Sequence, residues 1–297
     1  MRILYDYAPF DHADVTISAG QNIAAGVQVP GVVLLPSIRN GYTSAQFDSG
    51  THTLTFVFRF DSAVTIDCMG VFGIKVVGET QTDSDGNKTI ASLPTKPSGD
   101  CRLVHYTPSE TAINLPADQA LTWSLQRSIQ RIQLSSGDQD TSVITWAAQK
   151  WMAFSPVTAT RFDLHLRLNS YPDDYRFFVG RVIAGEYWEP NRNFSDGAKV
   201  IREDPLRISR SDGAYVETPR YAPYRTFVSA FQAVDRDFAD RFEEAAFPGE
   251  ASPVVVNILE DQPDRYTIYS KLQVSAEELL PGDRYNVRAT FQEITRG

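Results

Sequence analysis

Residue types that commonly carry catalysis or bind metals are few and scattered in this sequence. The four histidines are His12, His52, His105 and His165. No two of them have the spacing of a zinc site on a helix, and the two cysteines, Cys68 and Cys101, form no CxxC pair. GxSxG, P-loop and GxGxxG motifs are also absent. We therefore expect no catalytic, cofactor-binding or metal-binding residues.

Two groups of acidic residues suggest chemistry only weakly. Asp83, Asp85 and Asn87 resemble the start of a calcium-binding loop, but a Thr-Ile-Ala-Ser run follows where that loop needs a carboxylate. An Asp-Gly hairpin tip is the simpler interpretation. The pairs Asp173-Asp174 and Glu243-Glu244 could be glycosidase carboxylates, yet adjacent acids on turns and helices are usually solvated. We therefore expect a non-enzymatic protein.

One group of aromatic residues could stack against a sugar. It comprises Tyr175, Phe177, Phe178, Tyr187 and Trp188. Flat aromatic rings suit this role because they combine a large apolar area with a polar edge. Packing between domains is the commoner role of such residues, and it remains the main alternative.

The composition is that of an ordinary globular protein. The 297 residues are 42% hydrophobic and 22% charged, which excludes a disordered or collagen-like chain and leaves room for about two domains. A net charge of −9 argues against wholesale binding to nucleic acid or to an anionic membrane, since both need a positive surface. The longest apolar stretch, residues 27–35, is broken by Pro30 and Gly31, and there is no secretory-signal pattern. We expect assembly in a reducing cytoplasm.

Alternation of apolar and polar residues predicts a mainly β protein. The three clearest segments are residues 53–60, 162–168 and 285–294. In the second, Asp163, His165 and Arg167 lie opposite the apolar set, so we expect them on a wet or partner-facing surface. Less regular strand candidates are residues 68–77, 103–106, 143–146, 176–183, 224–231 and 254–259. Residues 121–134 fit either a helix or strands, and we favour strands.

The sequence predicts one short helix near residues 235–247. Phe238, Phe242 and Ala245 follow the helical repeat, Asp235 suits the first turn, and a Pro-Gly pair at position 248 ends the segment. A stretch rich in Pro, Asn and Gly at residues 186–204 is the best domain joint. We therefore predict domains at residues 1–190 and 191–297.

Several short segments in the second part of the chain are informative when taken together. The first is the stretch Arg181-Val-Ile-Ala-Gly-Glu-Tyr-Trp-Glu-Pro-Asn-Arg-Asn193, followed by Asp196-Gly197. Residues 210–215, a strand at residues 224–227, a helix near Asp235 and a final strand at residues 285–294 come after it. In this order the segments resemble tail-end proteins of long-tailed bacteriophages, and the resemblance covers residues 181–297.

The N-terminal part resembles the galactose-binding-like, discoidin-type sandwich at the front of such proteins. The matching segments are residues 3–6, Val29-Pro30 before Leu34-Leu35-Pro36, and residues 63–70. The resemblance implies a jelly-roll sandwich over residues 1–190, followed by a smaller β-rich domain. Residues 78–160 match no known pattern, and residues 70–73 lack the Gly-His-Asn-type turn common in the family.

The resemblance implies a distal tail or tail-tip (baseplate) protein of the virion. Such a subunit assembles into a homo-oligomeric ring, connects the tail tube to the receptor-binding apparatus, and contacts tube and tip or hub proteins. A closed ring needs two complementary surfaces on each copy. Arginine outnumbers lysine 22 to 6, which favours interfaces, although codon usage in a GC-rich genome would give the same bias.

Two other functions stay open at this point. Galactose-binding-like sandwiches commonly bind sugars, so the chain could be a carbohydrate-binding module that attaches to a host surface glycan. A polysaccharide hydrolase would need two carboxylates facing each other across a cleft. Sugar binding would identify the carbohydrate-binding module. Turnover of a polysaccharide that is lost in an acid-to-amide variant would identify the hydrolase.

Overall fold

A computed structural model shows a chain made of two compact units. It describes residues 1–6, 14–19, 43–46, 52–77, 80–82, 88–90, 96–134, 137–170, 176–195, 197–203, 206–211, 214–219, 224–247, 253–279 and 283–294. One unit, Tyr7–Glu186, is called the inserted unit. The other combines Met1–Asp6 with Tyr187–Gly297 and is called the terminal unit because it contains both chain ends.

Strands form most of the described residues. In chain order they are β1 Arg2–Leu4, β2 Asp14–Ala19, β3 Thr43–Gln46, β4 His52–Val77, β5 Thr80–Thr82, β6 Lys88–Ile90, β7 Ser98–Tyr106, β8 Ala112–Ala120, β9 Ser124–Leu134, β10 Gly137–Ser170, β11 Arg176–Val179, β12 Arg181–Gly185, β13 Lys199–Glu203, β14 Leu206–Ser211, β15 Ala214–Pro219, β16 Tyr224–Val234, β17 Val254–Asn257, β18 Thr267–Leu279 and β19 Arg284–Glu293. The helices are α1 Arg236–Ala246 and α2 Pro263–Tyr266.

The nine-stranded sheet of the inserted unit is built on two long antiparallel strands, β4 and β10. The first half of this pair, formed by the beginning of β4 and the end of β10, lies beside β2 on one side and β7 and β8 on the other. The second half, formed by the end of β4 and the beginning of β10, lies beside β12, β11 and β9. Register shifts in β10 between Ala153 and Val157, and between Ala159 and Arg161, separate the halves. Such bulges let a strand bend from one layer to the next.

Both halves of this sheet contribute to one hydrophobic core. Phe56, Phe58 and Leu164 come from the first half, and Met69 and Val182 from the second. Because the two halves bury their apolar faces in the same cluster, the inserted unit is an antiparallel β-sandwich. The alternation predicted for residues 53–60 and 162–168 is confirmed. The preference for strands over residues 121–134 is also confirmed, because β9 occupies most of that segment.

The terminal unit has a six-stranded antiparallel sheet in the order β1-β17-β18-β19-β16-β13. Helix α1 packs its apolar side into the core of this unit through Phe238 and Phe242. The carboxylate of Asp235 accepts a hydrogen bond from the Phe238 backbone N–H at 2.9 Å, which caps the first turn. The predicted helix and the predicted final strand are both confirmed, and the fold class is mainly β as expected.

The structure differs from the predicted domain limits of 1–190 and 191–297 at the N-terminus. Strand β1 pairs with β17 of the terminal unit, with Ile3 opposite Val256. The backbone N–H of Ile3 also donates to the Trp188 carbonyl at 2.8 Å. Residues 1–6 therefore belong to the later unit, and the inserted unit ends at Glu186. A three-residue strand is too short for alternation to reveal its partner.

Some sequence predictions fall outside the described residues. They are the calcium-loop candidates Asp83, Asp85 and Asn87, the pair Asp173-Asp174, and the proline segments near residues 29–36. Within the segment 210–215, Asp212 and Gly213 are also outside them, although the flanking residues Ser211 and Ala214 pair with each other. Each less regular strand candidate overlaps a strand of the structure.

Candidate functional site

The most organised polar surface lies on the side of β10 that faces away from the sandwich core. Phe162, Leu164 and Leu166 are fully buried in the core, so the alternate residues of this strand lie on the opposite face. These alternate residues are Arg161, Asp163, His165 and Arg167. Register places Val104, Arg102 and Asp100 of β7 beside the last three. We call this surface the outer face.

Asp163 is the centre of the outer face. Its side chain is only 4% exposed, whereas the alternation predicts a wet or partner-facing position; Tyr106 and Arg161 of the same chain cover it. The carboxylate accepts hydrogen bonds from Tyr106 Oη at 2.8 Å and from Arg161 Nη2 and Nε at 2.8 and 3.0 Å. The Arg161 guanidinium also lies 3.8 Å from the centre of the Tyr106 ring. This bidentate ion pair compensates the cost of burying a charge.

The electrostatics of this cluster disfavour acid–base chemistry. Burial and the hydrogen bond to Asp163 raise the pKa of Tyr106. The hydrogen bond to Asp163 raises the pKa of Arg161. Tyr106 and Arg161 therefore both retain their protons more firmly than usual near neutral pH. A general acid or base needs a pKa near the working pH, so the cluster fits a structural role.

The remaining side chains of the outer face also pair with one another. The ring of His165 shares a hydrogen bond with Thr55 Oγ1 at 2.8 Å. Arg167 Nη2 lies 2.7 Å from Asp100 Oδ2, and Arg102 Nε donates to Asn114 at 2.9 Å. On the outer face, hydrogen bonds and ion pairs, most of them from arginine side chains, thus connect neighbouring strands.

Replacing Asp163 by alanine is expected to destabilise the protein by about 2 to 4 kcal/mol, because Tyr106 and Arg161 lose their acceptor in a nearly dry site. Asp100→Ala is the matched control. Its partner Arg167 is 48% exposed, so we expect a loss of less than about 1 kcal/mol. Urea unfolding of both variants measures the difference. Equal losses would show that Asp163 contributes no more than a surface ion pair.

The terminal unit carries two further polar clusters. Arg225 forms an ion pair with Glu293, and its guanidinium also donates to the Arg265 carbonyl at 2.7 Å. Glu203 accepts hydrogen bonds from Tyr224 Oη at 2.7 Å and Thr226 Oγ1 at 2.8 Å. These bonds lower the pKa of Glu203, with Tyr224 as the larger cause, so Glu203 stays ionised.

Where the structure describes them, the histidines and cysteines are not brought together as a site; His12 lies outside the described residues. Cys68 and Cys101 are buried thiols, and Cys68 Sγ donates to the Gly185 carbonyl at 3.3 Å. Burial lowers the pKa of His105. Across the described ranges, no group of three or more His, Cys, Asp or Glu residues could hold a metal ion. Among those same residues, no helix is long and apolar enough to cross a bilayer.

Two members of the aromatic group, Trp188 and Tyr187, make contacts within the terminal unit. Trp188 packs edge-on against Phe238 and Phe242, with ring centres 5.5 and 5.0 Å apart, inside the terminal unit. Tyr187 has the Arg2 guanidinium 4.8 Å from its ring centre. Tyr175 and the side chains of Phe177 and Phe178 lie outside the part of the chain that the structure describes. The observed role of Trp188 is therefore packing within the terminal unit, and sugar stacking by the group stays a prediction.

Among the described strands, two of the longer β-hairpins have segments that pair with no third strand; we call them arms, and sequence reasoning missed them. Strand β4 ends at Val77, opposite Thr145, whereas the pairing of β9 with β10 continues to Leu134 and Gly137. Among the described strands, residues 137–144 therefore pair with β9 alone. This first arm is roughly 25 Å long, at about 3.3 Å per residue. Strands β14 and β15 form the second arm, a separate two-stranded sheet.

Comparison with known proteins gives little beyond this description. No family model matches the chain, and no curated protein sequence matches it. Among solved structures it is similar to CBM32-1 from a family 31 glycoside hydrolase of Clostridium perfringens, at 8% sequence identity. The similarity covers 60% of this chain and 98% of that chain, with a TM-score of 0.30. At that score the similarity supports no conclusion about function.

Proposed function

We propose that this protein is a structural subunit of a bacteriophage tail end, a distal tail or tail-tip protein. It assembles into a ring and connects the tail tube to the receptor-binding apparatus. The proposal includes assembly in the host cytoplasm, a final location in the virion, and a galactose-binding-like sandwich for the inserted unit. The ordered resemblance of residues 181–297 to tail-end proteins motivates it.

The observation that carries the proposal is the first arm, formed by residues 127–134 and 137–144. An isolated two-stranded hairpin is at best marginally stable in water, because it cannot bury a hydrophobic face. An arm of this length is therefore best explained by packing against another subunit. A ring of identical copies provides such a surface once for every arm.

The outer face supports a non-catalytic role. Its most buried carboxylate, that of Asp163, is already bonded to Tyr106 and Arg161. A nucleophile or general base needs a side chain that is free to meet the substrate. We therefore infer that the protein contributes surfaces and stiffness without making or breaking bonds.

The test compares the full chain with an arm-shortened variant. Gln126 and Thr145 are a register pair, so replacing residues 127–144 by Asn-Gly closes the hairpin with a two-residue turn. Mass photometry at rising concentration, of the protein alone and mixed with the products of its neighbouring genes, should show closed oligomers for the full chain. The shortened variant should form no closed ring, with unchanged circular dichroism.

A matched control keeps the arm and replaces only Ser135-Ser136 at its tip by Asn-Gly. This variant should assemble like the full chain. A strictly monomeric mass for the full chain under every condition, including with the partner proteins, would overturn the proposal.

Carbohydrate binding is the alternative, and it is tested separately. A glycan array and sugar titrations followed by tryptophan fluorescence report binding to host polysaccharides. A saturable response that survives shortening of the arm would favour a carbohydrate-binding module. No response to any host polysaccharide would count against that function.

A further inference from the structure

The two edges of the six-stranded sheet in the terminal unit differ. At one edge, β1 is closed by Trp188: the Ile3 N–H donates to the Trp188 carbonyl at 2.8 Å, and the Trp188 N–H donates to the Ile3 carbonyl at 2.7 Å. At the other edge, β13 pairs with β16 on its inner side. No described strand pairs with its outer side. A strand edge with unpaired backbone groups is a template for another strand.

Strand β13 also carries the last member of a row of hydrophobic side chains that crosses the sheet, and this last member is partly exposed. Register places Val200 beside Phe227, Phe227 beside Phe291, and Phe291 beside Leu272. Phe227, Phe291 and Leu272 are buried, but Val200 is 41% exposed. A further strand along β13 would extend the sheet and cover Val200.

The residues of β13 are complementary to themselves in antiparallel order. The strand reads Lys199-Val200-Ile201-Arg202-Glu203. If two copies pair with Ile201 opposite Ile201, then Lys199 of each copy lies opposite Glu203 of the other. Val200 then lies opposite Arg202, whose aliphatic stem can cover it.

The charge of Glu203 is already in position for this contact. Its carboxylate is held by hydrogen bonds from Tyr224 and Thr226, and these bonds keep it ionised. Directly opposite residues of antiparallel strands lie on the same face of the sheet, so Lys199 of the second copy would meet this carboxylate. Opposite charges at both ends of the strand fix one register over its neighbours.

We propose that the β13 edge binds the β13 edge of a second copy of this chain, in antiparallel order and about a two-fold axis at Ile201. The contact joins two six-stranded sheets through backbone hydrogen bonds. It goes beyond the ring proposed above, which needs two different complementary surfaces, and it does not depend on the first arm.

Disulfide cross-linking of the full chain tests the register directly. Facing Cα atoms in an antiparallel pair are about 4.5 to 5.5 Å apart, within the range of a disulfide. Ile201→Cys should therefore give a cross-linked dimer under mild oxidation, seen on a non-reducing gel. Val200→Cys is the matched control: its facing residue is Arg202, so we expect at least fivefold less dimer. The native cysteines are buried and should not contribute.

A charge reversal tests the ends of the strand. Adding Lys199→Glu to Ile201→Cys places a glutamate opposite Glu203 and should lower the dimer yield several-fold, whereas Lys199→Gln should lower it less. Lys199 is exposed, so thermal unfolding should not change. Equal cross-linking at positions 200 and 201, or none at 201, would overturn the proposal. Neither result would change what is expected of the arm-shortened variant, so the ring proposal is tested independently.

Discussion

Replacing Ile3 by aspartate should unfold the terminal unit. Ile3 has no exposed surface, lies in the core of that unit and is paired on both sides, with Val256 and with Trp188. The change removes a buried aliphatic side chain and places a charge in the core. Together these effects cost about 4 kcal/mol or more, a large part of the stability of an ordinary domain.

Hydrogen exchange measured by mass spectrometry gives a local readout for this variant. Peptides that contain β17, whose four residues Val254–Asn257 are all buried, should lose their protection. Ile3→Val is the matched control, because it keeps the shape and should cost only about 1 kcal/mol. If β17 stays as protected in Ile3→Asp as in the natural sequence, β1 does not belong to this sheet.

Replacing Phe242 by alanine should be the most damaging single change in helix α1. The Phe242 side chain is fully buried, and its ring centre lies 5.0 Å from that of Trp188 and 5.1 Å from that of Phe231. Truncation of a buried phenylalanine costs about 3 to 5 kcal/mol, because it loses apolar burial and leaves a cavity.

Phe247 provides the control for this experiment, five residues further along the chain. It caps the C-terminal end of α1 and is 90% exposed, so Phe247→Ala should change stability by less than about 0.5 kcal/mol. The midpoints of urea unfolding compare the two variants. Similar losses would show that α1 does not pack on the sheet through the face that contains Phe242.

The sequence predicted those parts of the fold that depend on local periodicity. Residues 162–168 were predicted as a strand because every second side chain is apolar, and these side chains are the buried ones. The same rule predicts Asp163 on a wet or partner-facing surface, but in the structure side chains of the same chain bury it. That burial depends on Tyr106, which is 57 residues away in sequence, and no local pattern reports such a partner.

The interaction surfaces were harder to predict for a related reason. Trp188 was a candidate for sugar stacking, but its role follows from rings at Phe238 and Phe242 that pack against it. The first arm depends on where β4 ends relative to β10, which is a property of register and not of composition. Its function as a docking element stays a prediction until assembly is measured.

The position of β1 has a consequence for biosynthesis. Arg2 pairs with Asn257, so β1 cannot settle into its sheet until β17, which is made much later, has been synthesised. During translation the apolar side chains of Ile3 and Leu4 stay without their final neighbours while the whole sandwich emerges from the ribosome. Contacts this far apart in sequence form slowly, so the nascent chain is exposed to aggregation until β17 has emerged.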